Sequence, residues 1–240
     1  MLWYKAWLET RSRFLASLCG ITLIISFFVH HAESLFPAGP KTNVWNIIFF
    51  AHQYLVGIWI LCVVLLGMGG LVRERAVGTS SFTLALPVSR ARLAGVRIAV
   101  GMLQAISLAV LPWAAILFIT DLGGQASFPI SQASFYLALL ISGGLIYFAM
   151  AVLISSLIEG EYTAPAVAYG LTILTGMIFG EVSWIRPYAD LWRFMGGDNH
   201  IDKNTYVLSG SFPWLGALAS LSVVGLMLIV SVRVLQKREF

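Results

Sequence analysis

Six stretches of this chain, at 14–29, 54–72, 98–119, 135–158, 165–180 and 214–232, run almost without charge. Each approaches the roughly 20 apolar residues that a helix needs to cross a bilayer core of about 30 Å. In hydrocarbon a backbone N–H or C=O finds no water, so such a run must close its hydrogen bonds within itself, as a helix does. The pattern predicts an all-α membrane protein with six transmembrane helices. The second run extends back toward Val44, the third is interrupted only by Gln104 and Pro112, and the fifth is framed by Glu161 and Glu181. Composition agrees: 59% of residues are hydrophobic and 11% charged, against about 45–50% and about 25% in soluble domains. A soluble globular domain, a disordered chain and a coiled coil are excluded. What remains outside the runs is too little for a second folded domain, so 1–240 reads as a single transmembrane domain.

The basic residues are unevenly placed. Eleven of them (Lys5, Arg11, Arg13, Arg73, Arg75, Arg90, Arg92, Arg97, Arg233, Lys237 and Arg238) fall on the N-terminus, the connection after the second run, and the C-terminus. Four (Lys41, Arg186, Arg193 and Lys203) fall on the alternate connections. The positive-inside rule then puts both termini in the cytoplasm. An even number of crossings also requires both termini on one side. The net charge of +4 therefore reads as orientation in a membrane, and no nucleic acid is needed as a partner. The first run reads as a retained helix and not a signal peptide, because His30-His31-Ala32-Glu33 offers no small-x-small cleavage site and Leu18 is too bulky before Cys19 for a lipobox.

Ahead of that run, Trp3, Trp7, Thr10 and Phe14 recur at spacings of three and four, and Lys5, Glu9 and Arg13 at four. This predicts an amphipathic N-terminal interfacial helix over 1–13, lying in the headgroup plane. In the fifth run Ala164, Ala168, Thr172, Gly176 and Gly180 are four apart and share one helix face. Small side chains let helices approach closely in lipid, either within one chain or across a dimer. A weaker series, Ala138, Ser142, Gly143 and Gly144, occurs in the fourth run. The two cysteines, Cys19 and Cys62, lie in apolar runs and read as small packing residues.

The connection after the second run carries the most information. Arg73-Glu74-Arg75 is followed by Gly78-Thr79 and then by Leu86-Pro87-Val88-Ser89-Arg90. Thr79 suits the cap of a short helix and Pro87 its stop. Phe82, Ala85 and Leu86 form one apolar edge. A short helix held between two spans and flanked by arginines suits docking into a groove on a soluble partner; a headgroup-binding loop is the plainer alternative.

Those residues, in that loop, resemble the membrane permease of the ABC-2 class of ATP-binding-cassette transporters. The six-run layout, the amphipathic N-terminus and the basic end Gln236-Lys237-Arg238-Glu239-Phe240 resemble it too. The resemblance implies that 73–90 is a coupling region on a separate ATPase subunit, that a second permease copy or a paralogue completes the membrane part, and that the work is export from the cell inner membrane. Glu74 would hold the loop through Arg73, Arg75 or a partner arginine. Gly78 and Thr79 would open the coupling helix, Phe82 and Leu86 would anchor it, Pro87 would end it, and Arg90 with Arg92 would sit at headgroup level. ATP and Mg would be bound by the partner subunit, leaving this chain without a cofactor or a catalytic residue. The chain has no Gly-x-x-x-x-Gly-Lys-Ser/Thr loop: around Lys41-Thr42, Leu35 and Pro40 stand at the two glycine positions.

Charge is nearly absent inside the runs. Ion-coupled transporters carry ionisable groups there, so a secondary transporter or channel is the weaker expectation, as is a membrane assembly or anchoring protein without transport. An uncharged membrane surface suits an amphiphilic or hydrophobic cargo such as a lipid, drug or peptide. His30, His31, His52 and His200 all fall on the outer side in this topology and read as solvated interfacial histidines with no metal. In the outer connection, 181–213, Trp184, Tyr188, Leu191, Trp192 and Met195 share a face, predicting an amphipathic helix; the ABC-2 resemblance implies that it caps the exit of the pathway, and a helix anchored at the interface by its aromatics is the plainer alternative.

Overall fold

The computed structural model describes residues 2–31, 44–68, 89–122, 128–158, 163–181, 190–202 and 205–237. They form α1 (Leu2–His30), α2 (Val44–Gly67), α3 (Arg90–Leu122), α4 (Ile130–Leu157), α5 (Thr163–Glu181), α6 (Leu191–Gly196) and α7 (Trp214–Lys237). There is no strand among the described residues, only an isolated antiparallel bridge between Ile201 and Leu208. Helices α1, α2, α3, α4 and α7 are each long and apolar enough to cross a membrane. The chain is thus all-α with the character of a multi-pass membrane protein.

The helices overrun the apolar stretches. α1 has 29 residues, about 43 Å at 1.5 Å per residue, well beyond a hydrocarbon core. The separate interfacial helix expected over 1–13 is not found; residues 2–13 are the first turns of α1. The reason lies in its buried stripe. Ala6, Thr10, Phe14, Ser17, Ile21, Ile25 and Val29 are buried at spacings of three and four, straight through the expected boundary. No Gly or Pro interrupts 2–19, so the face that the N-terminal turns bury is continuous with the face of the span. Trp3 and Trp7 stay outside that stripe, Trp7 edge-on to Phe14 at 5.6 Å. α3 likewise starts early, at Arg90, where Ser89 Oγ accepts from Arg92 N at 3.3 Å as a cap. Arg92 and Arg97 therefore sit on its first turns, and Pro112 lies inside α3 without ending it.

α4 is the central helix, in contact with α2, α3, α5, α6 and α7. Glycines make that possible. A Cβ on Gly144 would stand 2.0 Å from Trp59 Cζ3, and one on Gly143 would stand 2.8 Å from Met195 Cγ. Within the series Ala138, Ser142, Gly143 and Gly144, the two glycines are therefore a seat for Trp59 of α2 and for α6. Trp59 Nε1 in turn donates to the Ala105 carbonyl of α3 at 3.1 Å, tying three helices together. The stripe on α5 begins in the same way: Ala164 and Ala168 are buried in the main core, and Thr172 is half-buried with its hydroxyl donating to the Ala168 carbonyl at 2.9 Å. Gly176 and Gly180 follow on the same helix.

The two ends of the bundle differ. Thr10, Met68, Arg97, Ser156 and Leu235 line one cavity of about 50 Å³. The start of α1, the end of α2, the start of α3, and the ends of α4 and α7 thus meet at one end, which holds most of the described basic residues. At the other end Trp45 lies 4.8 Å from Phe128 and Phe135 lies 5.5 Å from Phe212, ring centre to ring centre.

Substituting Gly144 by Val is expected to cost about 1–3 kcal/mol, the range for overpacking a filled core. A lower melting temperature in detergent, followed by tryptophan fluorescence, would register it. Gly170→Ala, where a Cβ meets nothing within 4 Å, should leave that temperature unchanged.

Candidate functional site

Two polar regions and one groove stand out. The first is the basic end. Glu74, Gly78, Thr79, Phe82, Leu86 and Pro87 lie outside the described residues, as do Arg73 and Arg75, but both flanks of that segment are described. On the near flank α2 ends, and the carbonyls of a last helical turn have no partner within the helix. Arg13 supplies one: Nη1 donates to the Met68 carbonyl at 2.6 Å and to the Leu65 carbonyl at 3.4 Å. Its positive charge also faces the negative end of the helix dipole. On the far flank Arg90 opens α3, and two turns later the Arg97 guanidinium donates to the Glu9 carboxylate. Lys5 Nζ lies 3.6 Å from the other Glu9 oxygen. Two turns further along α3, Gln104 Nε2 donates to Thr10 Oγ1 at 2.8 Å, and that hydroxyl donates to the Ala6 carbonyl at 3.0 Å. The charged face expected on the N-terminal turns is real, but Glu9 and Arg13 address α3 and α2.

The second region is the opposite end, called the outer end after the topology that the basic residues predict. The amphipathic helix expected around 184–195 is described only as the six residues of α6; Trp184 and Tyr188 lie outside the described residues. The Asp190 side chain caps α6, accepting from Arg193 N at 3.1 Å and pairing with Arg193 Nε at 3.3 Å. Gly197 closes it at φ +75°, a conformation glycine adopts freely. So short a helix cannot hold itself in water, and side chains from the long helices pin it. His52 Nε2 bonds to the Met195 carbonyl at 2.9 Å. Gln53 Nε2 donates to the Gly196 carbonyl at 3.2 Å and to Asp198 Oδ1 at 2.9 Å. Gln132 of α4 grips Leu208 with both ends of its amide, at 3.1 Å each.

His52 is therefore no solvated interfacial residue. It is fully buried, its ring 4.6 Å from Tyr136 and 5.5 Å from Trp113. It points inward because the outer end of α2 is roofed by α6, which the apolar pattern of α2 could not reveal. His30 and His31 do lie at the surface. Burial raises the Asp198 carboxyl above its ordinary range, opposed by Arg193 and by the Gln53 amide. No group of three His, Cys, Asp or Glu able to hold a metal occurs among the described residues.

Between α2 and α5, with Trp192 of α6 at its rim, runs a groove of about 600 Å³. Ile58 and Leu61 of α2, Tyr147 of α4 and Ile173 of α5 form an apolar shaft, while Gln53 and Thr172 add neutral polar groups. Among the described residues no charged side chain lines it. Tyr169 braces it, its hydroxyl donating to the Leu61 carbonyl at 2.7 Å.

Sequence reasoning marked Gln104 as an interruption without giving it a partner, and it missed the roles of Gln53 and Gln132 and the pairing of Glu9 with Arg97. The signal for Gln53 and Gln104 was there, since a polar residue in an apolar run must find a partner in the bundle. Set against models of protein families and against curated proteins, the chain matches none.

Two outcomes follow at the outer end. A carboxyl whose pKa is raised by folding favours the folded state most below its unfolded pKa, and that advantage fades as pH rises through the raised value. Asp198→Asn is accordingly expected to melt above the wild type at pH 7, with the gap closing as pH falls toward about 4; a gap that widens on acidification would contradict the raised pKa. His52→Phe leaves the Met195 carbonyl unpaired at a cost of about 1–3 kcal/mol, read as faster amide exchange across 191–201.

Proposed function

We propose that this chain is the permease subunit of an ATP-binding-cassette exporter of the ABC-2 class, with six transmembrane helices, both termini in the cytoplasm and a home in the inner membrane of a prokaryotic-type cell. α5 is the sixth span in this reading. The segment 73–90 docks on a separate nucleotide-binding subunit, which binds ATP and Mg and hydrolyses the nucleotide. Phe82 and Leu86 insert in its groove, Gly78 and Thr79 start the coupling helix, Pro87 ends it, and Glu74 steadies the loop. Arg90 sits where α3 enters the membrane. A second permease, identical or a paralogue, completes the path, and closure of the two ATPases moves the coupling helices as rigid levers.

The observation that carries this reading is the position of the motif-bearing segment. It hangs from α2 and α3 at the basic end, with both flanks fastened to α1. A loop that only touched headgroups would need no such foundation. The groove between α2 and α5 supports an amphiphilic or hydrophobic cargo, since its lining among the described residues combines apolar side chains with neutral polar groups and lacks charge. A secondary transporter is the second reading, favoured by His52 buried between the helices. Against it, no Asp, Glu, Lys or Arg is buried among the described residues to relay an ion, and the described bond of His52 serves to hold α6.

The test is co-purification with an ATPase of the cassette type. Phe82→Asp and Leu86→Asp are each expected to weaken association at least tenfold, about 1.4 kcal/mol, without changing the melting temperature of the isolated permease. Association equal to the wild type in both variants would defeat the docking claim.

A further inference from the structure

α1 reaches both roots of the segment between α2 and α3. Arg13 holds the carbonyls of Met68 and Leu65 on the near root, and Glu9 holds Arg97 on the far root. Glu9 and Arg13 are four residues apart, so they rise from one face of one helix. Thr10 lies between them on the same helix, and its hydrogen bond with Gln104 fixes α1 to α3 two turns beyond Arg97. Glu9 and Arg97 are partly shielded, with side-chain exposures of 28% and 21%, so solvent and salt weaken the pair somewhat less than they weaken a fully open surface contact. α1 packs mainly on α3 and α2, and its far turns present Leu23 and Phe27 outward.

From these contacts we infer that α1 is a strap that makes the two roots move as one body, with Glu9 and Arg13 as its positioning residues. Without the strap, α2 and α3 are free to answer a push on the segment by tilting separately. With it, the push is delivered to a single unbroken helix of 29 residues and carried to the far side of the membrane. The inference rests on the docking reading above for the source of the push.

The experiment uses the permease–ATPase complex in vesicles of phosphatidylethanolamine and phosphatidylglycerol. Spin labels replace Leu23 on α1 and Leu226 on α7, both exposed, in a background with Cys19→Ser and Cys62→Ala and one labelled copy per complex. The distance between them is measured without nucleotide and after trapping with ATP and vanadate. The wild type is expected to show a nucleotide-dependent shift. Glu9→Gln and Arg13→Gln should each bind the ATPase like the wild type yet show less than half of that shift. The exchanged pair Glu9→Arg with Arg97→Glu should restore it, which separates transmission from a general loss of folding. A shift in both single variants equal to the wild type, or no shift in the wild-type complex, overturns the strap and leaves docking intact. Failure of the wild-type chain to bind any ATPase overturns the docking reading, and the transmitting role of α1 falls with it.

Discussion

A helix in hydrocarbon satisfies its own backbone everywhere except in its first and last turns. That remainder governs how this chain is built. The last carbonyls of α2 are met by Arg13 from α1, the first turn of α3 by Ser89, and the ends of α6 by Asp190 and Gly197. Several of the polar bonds between elements gather at these termini or at the short outer segment, where one side chain reaches a carbonyl that its own helix cannot serve. The long middles of the helices are held mainly by packing, with Trp59 to Ala105 and Tyr169 to Leu61 as polar exceptions.

Packing, in turn, depends on small residues placed where large ones must pass. Lipid tails are as apolar as leucine, so helices gain little by hiding leucine from lipid and associate through close fit instead. α4 shows the consequence. Gly143 and Gly144 lie at its centre so that Trp59, Phe194 and Met195 can lie against its backbone. The indole of Trp59, once seated there, bonds to Ala105 of α3. The glycines, the tryptophan and the outer helix form one assembly, and none of its parts has that role alone.

The chemistry of the two ends is correspondingly unequal. The basic end joins helices through ionised groups: Arg13 to carbonyls, Arg97 to Glu9. The outer end uses neutral amides and an imidazole, His52, Gln53 and Gln132, to hold α6 and the described residues that follow it. Charge-assisted bonds are the stronger kind, and they stand at the end where the proposed ATPase would push. The groove between α2 and α5 opens beside the neutral end, under Trp192.

The sequence alone determined that this chain is helical and bilayer-suited, and it placed the cores of α1, α2, α3, α4, α5 and α7, because runs of apolar residues admit no other backbone in hydrocarbon. It also marked Gly144 and Ala168 as members of small-residue series, since spacing along a helix fixes which residues share a face. It could not say what those faces meet. Whether Ala168 packs within the chain, whether residues 2–13 turn into the headgroups or continue α1, and whether His52 meets water or the Met195 carbonyl are decided by which helix lies alongside. Glu9 and Arg97 are 88 residues apart, and Arg13 and Met68 are 55. No local pattern encodes such partners; only the packed bundle brings them together.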